Sequence, residues 1–99
     1  MSVFVFAKFA IHDREGYERY VALATPIFIR EGVKIHASDD APQALSDDMS
    51  ADKVVLLEFR DHAHYKHFFS QADYVAAAKI RDGASKLSAT LFQRFEMPN

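Results

Sequence analysis

Two apolar faces on one small sheet constrain this chain more than any other feature. The opening run Val3-Phe4-Val5-Phe6-Ala7-Lys8-Phe9-Ala10-Ile11 and the later run Val54-Val55-Leu56-Leu57-Glu58-Phe59 both read as strands. Successive side chains of a strand point to opposite faces, so Val3, Val5, Ala7 and Phe9 line one side while Phe4, Phe6 and Lys8 line the other. One layer of helices buries one side only. A second copy of the chain is the simplest cover for the other.

The 99 residues allow a single domain, spanning 1–99, with a core able to hold itself together. A net charge of −2 gives no electrostatic case for nucleic acid or an anionic membrane surface as partner. The absence of cysteine excludes disulfides, thiolate nucleophiles and most structural zinc sites. The N-terminus has no secretory pattern, and no apolar run approaches the roughly 18 residues of a membrane helix. A cytoplasmic location is therefore expected.

Strand 3–11 is followed by Asp13, a good N-cap for a helix from about Arg14 to Glu31, and Gly32 suits its left-handed exit. Tyr17, Tyr20, Val21, Ala24 and Phe28 recur at helical spacing as the buried stripe, and Pro26 should kink the axis. Val33–Ala37 reads as a second strand, 38–51 as a polar loop with Gln43-Ala44-Leu45 as a further edge strand, and 53–60 as the third strand. Asp61 caps a short helix to about Phe69. Ser70 caps another, with Tyr74, Val75, Ala78 and Arg81 along one side and Gly83 weakening or ending it. A final strand covers about Ser88 to Glu96. This strand-helix-strand-strand-helix-strand order predicts an α+β, ferredoxin-like βαββαβ fold with a four-stranded antiparallel sheet, its second helix broken in two.

By parity, Val3, Val5, Ala7, Phe9, Val33, Ile35, Val55, Leu57, Phe59, Ala89 and Leu91 should lie under the helices. The other side carries Phe4, Phe6, Lys8, Lys34, His36, Val54, Leu56, Glu58, Arg60, Thr90, Phe92 and Arg94. Its phenylalanines each bury on the order of 150–250 Å² when covered. Together they exceed the few hundred Å² of contiguous apolar surface that a monomer exposes. This face is expected to join two copies as a homodimeric α/β barrel.

These residues resemble the domain-of-unknown-function family 1330, within the dimeric α/β-barrel superfamily. The resemblance rests on the first strand followed by Asp13, the Tyr17/Tyr20 helix with Pro26, Gly32, the run Val54–Phe59, and Ser70-Gln71-Ala72-Asp73-Tyr74 leading to Arg81. It covers nearly the whole chain. It implies two sheets packed face to face with helices outside, and no settled activity. Superfamily relatives include cofactor-free monooxygenases, haem-degrading enzymes, lactone isomerases and regulatory domains, and fold alone does not choose among them. The chain departs from the family where Val33 follows Gly32, where Lys34 stands for the usual arginine, and at Ser38-Asp39-Asp40, where an arginine and paired glycines are common.

Four groups of residues could carry chemistry. Lys8, His36, Glu58 and Arg94 share the inter-sheet face. Lys8 and Glu58 lie on neighbouring strands and should pair, so Lys8, Glu58 and Arg94 form an interfacial polar network, with His36 either part of it or a base in a polar pocket. Tyr17, Tyr20, Tyr74 and Arg81 lie on the flanking helices. With His36 they are the ligand-pocket candidates, suited to an anionic or phenolic small molecule, against the plainer reading of ordinary packing. His62, His64 and His67 lack the further ligands a metal site needs, so no metal is expected. The pairs Asp39-Asp40 and Asp47-Asp48 lack calcium-loop spacing. No cofactor is implied.

Three readings follow. The first is a homodimer with a pocket for an undetermined small molecule. The second is a cofactor-independent monooxygenase or isomerase-like enzyme, in which His36 or Tyr20 handles a proton and Arg81 stabilises an enolate-like anion. The third is an association-only module. The sequence leaves open whether the chain is an enzyme.

Overall fold

A computed structural model of the chain describes residues 1–98. Strand β1 (Val3–Ile11) leads into helix α1 (Arg14–Arg30), then β2 (Lys34–Asp39) and β3 (Lys53–Phe59). Helices α2 (His62–Ser70) and α3 (Ala72–Ala84) precede β4 (Ser85–Gln93). The strands form one antiparallel sheet in the order β2-β3-β1-β4, the ferredoxin-like arrangement, with two split helical segments in the second crossover.

Local chemistry accounts for most boundaries. The Asp13 carboxylate accepts the Gly16 N–H at 3.0 Å at the start of α1, and Asp61 accepts the His64 N–H at 2.7 Å at the start of α2. Gly32, at φ +70°, supplies the left-handed turn after α1 that a side chain would disfavour. Helix α1 continues through Pro26 to Arg30.

Several expected boundaries move. No strand forms at Gln43-Ala44-Leu45; the segment after β2 is irregular apart from a 3-10 turn at Asp47–Met49. Gln71, not Ser70, precedes α3, because the Ser70 hydroxyl instead donates to the His67 carbonyl at 2.7 Å. Helix α3 passes through Gly83, so β4 begins at Ser85 and ends at Gln93, about three residues before the expected span. Tyr74, Ala77 and Ala84 are the buried positions of α3, while Val75 faces out.

The core lies between the sheet and the helices. Val3, Val5, Ala7, Phe9, Leu57 and Phe59 pack beneath Tyr17, Tyr20, Ala24, Phe28, Phe68 and Tyr74. Toward the sheet edge the cover thins, and Ile35 on β2 is 43% exposed. On the opposite face, Phe92 is also 43% exposed and stacks on Phe4 with ring centroids 5.7 Å apart, while Phe6, Val54 and Leu56 are half-buried. No helix among the described residues is long and apolar enough to cross a membrane.

Candidate functional site

A cleft of about 360 Å³ opens between the helical layer and the sheet. Strand parity builds its floor: Val5, Ala7 and Phe9 of β1 and Val55 and Leu57 of β3 all point toward the helices. Tyr17, Tyr20, Tyr74 and Arg81 all line it. Tyr17 and Tyr20 lie three positions apart on α1, hence on one helix face, and α3 presents Tyr74 and Arg81 seven positions, two turns, apart.

Their hydroxyls and charges interlock. The Tyr20 and Tyr74 oxygens are 2.7 Å apart, and Arg81 Nη1 donates to Tyr74 Oη at 3.0 Å. The Arg81 guanidinium also stands 5.7 Å from the Tyr20 ring centroid, within cation–π range. Its Nε and Nη2 both donate to the Asp82 carboxylate, at 3.2 and 3.1 Å. Asp73, on the first turn of α3, pairs with Arg30 at 2.7 Å.

One lining residue escaped the sequence reading. Lys53, at the start of β3, points into the cleft beside Tyr17 with its ammonium 5.2 Å from the ring centroid. Parity could have found it, since residue 53 shares its side with Val55, Leu57 and Phe59. The apolar run begins at Val54, and a lysine at its margin reads as a solvated end. Among the described residues that line the cleft there are thus two cations and no carboxylate.

Burial shapes the ionisation of this group. Burial foremost, then Tyr20 and the nearby Asp40 carboxylate, push the Tyr17 phenol well above the ordinary tyrosine range. Tyr74 is raised by burial and by its contact with Tyr20. For Arg81, burial opposes the charge, but Tyr74, Tyr20 and Asp82 more than offset it and its pKa is raised. Tyr17 and Tyr74 therefore stand in the walls as neutral phenols beside the Arg81 charge. No buried side-chain nitrogen or oxygen among the described residues lacks a hydrogen-bond partner. The Tyr17 hydroxyl, which bonds to no protein group there, accordingly opens onto the cleft.

His36 does not join this group. The extra residue of a β-bulge between Ile35 and Ala37, it turns to the opposite face of the sheet. There its Nε2 meets Glu58 Oε1 at 2.6 Å, and Arg94 Nη1 donates to Glu58 Oε2 at 3.2 Å. Hydrogen bonds from His36 and then Ser2, with Lys34 and Arg94 adding positive charge, hold Glu58 below the ordinary glutamate range although its burial opposes this. The bulge also turns Ser38 inward to line the cleft, where unbroken alternation would have placed Ala37.

The expected Lys8–Glu58 pair does not form. In the register of β1 against β3, Glu58 stands opposite Phe4, whereas Lys8 stands opposite Val54 and donates to the Asp48 carbonyl. The polar network on this face is therefore His36, Glu58 and Arg94.

Of the α2 histidines, His64 is occupied structurally. His64 Nδ1 accepts the Arg60 N–H at 3.0 Å, and its Nε2 meets the Glu31 carbonyl at 2.7 Å, tying β3 to the end of α1. No group of three or more metal-ligating side chains gathers among the described residues.

Known structures share this architecture. A protein of unknown function from Rhodopseudomonas palustris superposes with a TM-score of 0.82 at 18% identity, covering 97% of this chain and 84% of that one. SnoaB, a cofactor-independent oxygenase from Streptomyces nogalater, gives 0.73 at 16% identity, covering 97% and 95%. A dimeric ferredoxin-like protein of unknown function from Thermobifida fusca gives 0.68 at 20%, covering 93% and 90%. At these identities the likeness establishes the fold alone. Among curated proteins none is a significant match. Residues 2–95 match the family described as "Domain of unknown function (DUF1330)", and the chain belongs to that family.

Proposed function

We propose that the chain works as a homodimer in which each subunit binds a small aromatic anion in the cleft beneath its helices. The observation that carries this reading is a lining of two cations and four tyrosines without a carboxylate. The carboxylates that balance these cations, Asp40 for Lys53 and Asp82 for Arg81, lie on the solvent side. A planar acid in the cleft therefore meets positive charge with no lining carboxylate to repel it, and stacks on the phenol rings. The volume of about 360 Å³ falls in the range of small-molecule sites. Pairing through the open sheet face would bury Phe4, Phe6, Leu56 and Phe92, and a Thermobifida fusca protein with the same fold, described as dimeric, supports self-association.

Binding fits the geometry better than proton-transfer catalysis. The histidine that could act as base lies on the other side of the sheet. Burial makes Tyr17 and Tyr74 reluctant to ionise, so neither is a ready base at neutral pH.

The test is a thermal-shift and titration series with 2-naphthoate against the uncharged 2-naphthamide, paired with sedimentation at micromolar concentration. The expected result is a dimer of the 11.2 kDa chain whose midpoint is raised by the anion and not by the amide, with the effect lost in Lys53→Met. Equal shifts from both probes, or none from either, refute the anion site. A lone 11.2 kDa species refutes the dimer.

A further inference from the structure

The two cleft cations resemble each other in burial but differ in how their charge is balanced. Lys53 is 10% exposed and Arg81 13% exposed, and each faces a carboxylate on the solvent side, Asp40 at 68% and Asp82 at 63% exposure. Arg81 grips one oxygen of Asp82, the next residue of its own helix, through two nitrogens and spends Nη1 on Tyr74. Nothing in that arrangement has to move. Lys53 has a single acidic partner among the described residues. It meets Asp40 Oδ1 at 3.4 Å, longer than a well-made ammonium–carboxylate bond of about 2.7–2.9 Å.

Asp40 follows the last residue of β2, where the Asp39 carboxylate accepts the Ala41 N–H at 2.9 Å. The same Asp40 oxygen also lies 3.9 Å from Arg14 at the start of α1. A carboxylate held this loosely, mostly in water, has an alternative cation at hand if Lys53 is taken from it. The Lys53 ammonium, packed against the Tyr17 ring, cannot follow it out.

We propose that Asp40 is an exchangeable counter-ion for Lys53: the acid group of the ligand displaces it and takes its place on the ammonium, while the Arg81 end keeps its own carboxylate and receives the uncharged end of the ligand. This rests on the reading of the cleft as an anion site and adds where the charge goes and what it competes with. Ligand affinity is then set by the difference between two carboxylates bidding for one ammonium. Asp40 weakens every anion and leaves neutral ligands untouched, so it holds the occupancy threshold high.

The experiment titrates 2-naphthoate and 2-naphthamide into wild-type protein, Asp40→Asn and Asp47→Asn at one ionic strength, by calorimetry or NMR line-shape analysis. Asp47 is exposed in the same loop and balances the net-charge change. Removing a mostly solvated competitor should tighten 2-naphthoate roughly 2- to 5-fold in Asp40→Asn, the effect of an exposed ion pair. The amide affinity should not move, and Asp47→Asn should leave both probes at wild-type values. The exchange is overturned if Asp40→Asn leaves 2-naphthoate unchanged or weaker, if the amide gains equally, or if Asp47→Asn gives the same gain. If wild-type protein and Asp40→Asn both fail to bind 2-naphthoate, the anion site itself falls, and the exchange with it.

Discussion

Removing one oxygen atom from each of two buried tyrosines separates structure from site. Tyr74 and Tyr17 are 3% and 1% exposed, and both pack by their ring faces and edges. In Tyr74→Phe the ring keeps its neighbours Phe68, Phe69 and Phe28 at centroid distances of 4.7, 5.2 and 5.7 Å. What is lost is the oxygen that meets Tyr20 Oη at 2.7 Å and accepts from Arg81 at 3.0 Å. A neutral hydrogen bond is worth about 0.5–1.5 kcal/mol net and one to a charged group about 1.5–3. The lower ends apply, because Arg81 retains Asp82 and Tyr20 borders the cleft, so the expected cost is about 2 kcal/mol. For a domain of this size that lowers Tm by roughly 8–16 °C. In Tyr17→Phe no bond within the protein is broken, and stability should stay within about 0.5 kcal/mol of wild type. Urea unfolding followed by far-UV circular dichroism, with calorimetric Tm values, measures both. Equal losses in the two variants, or a Tyr74→Phe midpoint unchanged from wild type, would refute the assignment of Tyr74 as the structural phenol and Tyr17 as the one open to the cleft.

Glu58 has a folded pKa below its unfolded value, so its contribution is present above about pH 4.3 and fades as pH falls through the folded value. Acid unfolding of Glu58→Gln, followed by fluorescence of its tyrosines, should show a flatter pH dependence than wild type. At the alkaline end the signs reverse: Tyr17 and Tyr74 hold protons that the unfolded chain releases near pH 10, so stability should fall above that pH, and Tyr74→Phe should flatten this limb. His64→Ala strips the Arg60 N–H and the Glu31 carbonyl of their partner and should cost about 1–3 kcal/mol, with faster hydrogen exchange at Arg60 as the readout. Phe92→Glu places a charge in the middle of the proposed subunit contact and should shift sedimentation toward the single chain; an unchanged dimer would move the contact elsewhere.

The topology was legible because several local signals agree. Alternation in β1 and β3 is uninterrupted, Asp13 and Asp61 cap the helices they precede, and Gly32 occupies a backbone conformation that suits it. The aromatic residues of α1 fell on the buried stripe as periodicity demands. The errors arose where the outcome depends on distance along or across the sheet. Lys8 and Glu58 are on adjacent strands and on one face, but register separates them, and register is set by the packing of whole strands rather than by either residue. The early start of β4 reflects a glycine tolerated near a helix end because α3 is held by its contacts with α1. Lys53 went unseen because a charge at a strand margin looks the same whether it faces water or a cleft. The grouping of His36 with the tyrosines joined two surfaces that the sheet keeps apart.

The single surplus residue in β2 does more than bend an edge strand. Lys34 and Ile35 keep the phase of the sheet, and beyond His36 that phase is reversed, so the serine that faces the helices and the histidine that faces outward sit two positions apart without conflict. Deleting any one residue of 35–37 would restore simple alternation, withdraw Ser38 from the floor and relocate the anchor from which Asp40 springs. The two faces of the sheet, the cleft floor on one side and the His36–Glu58–Arg94 cluster on the other, thus hinge on a counting irregularity one amino acid long.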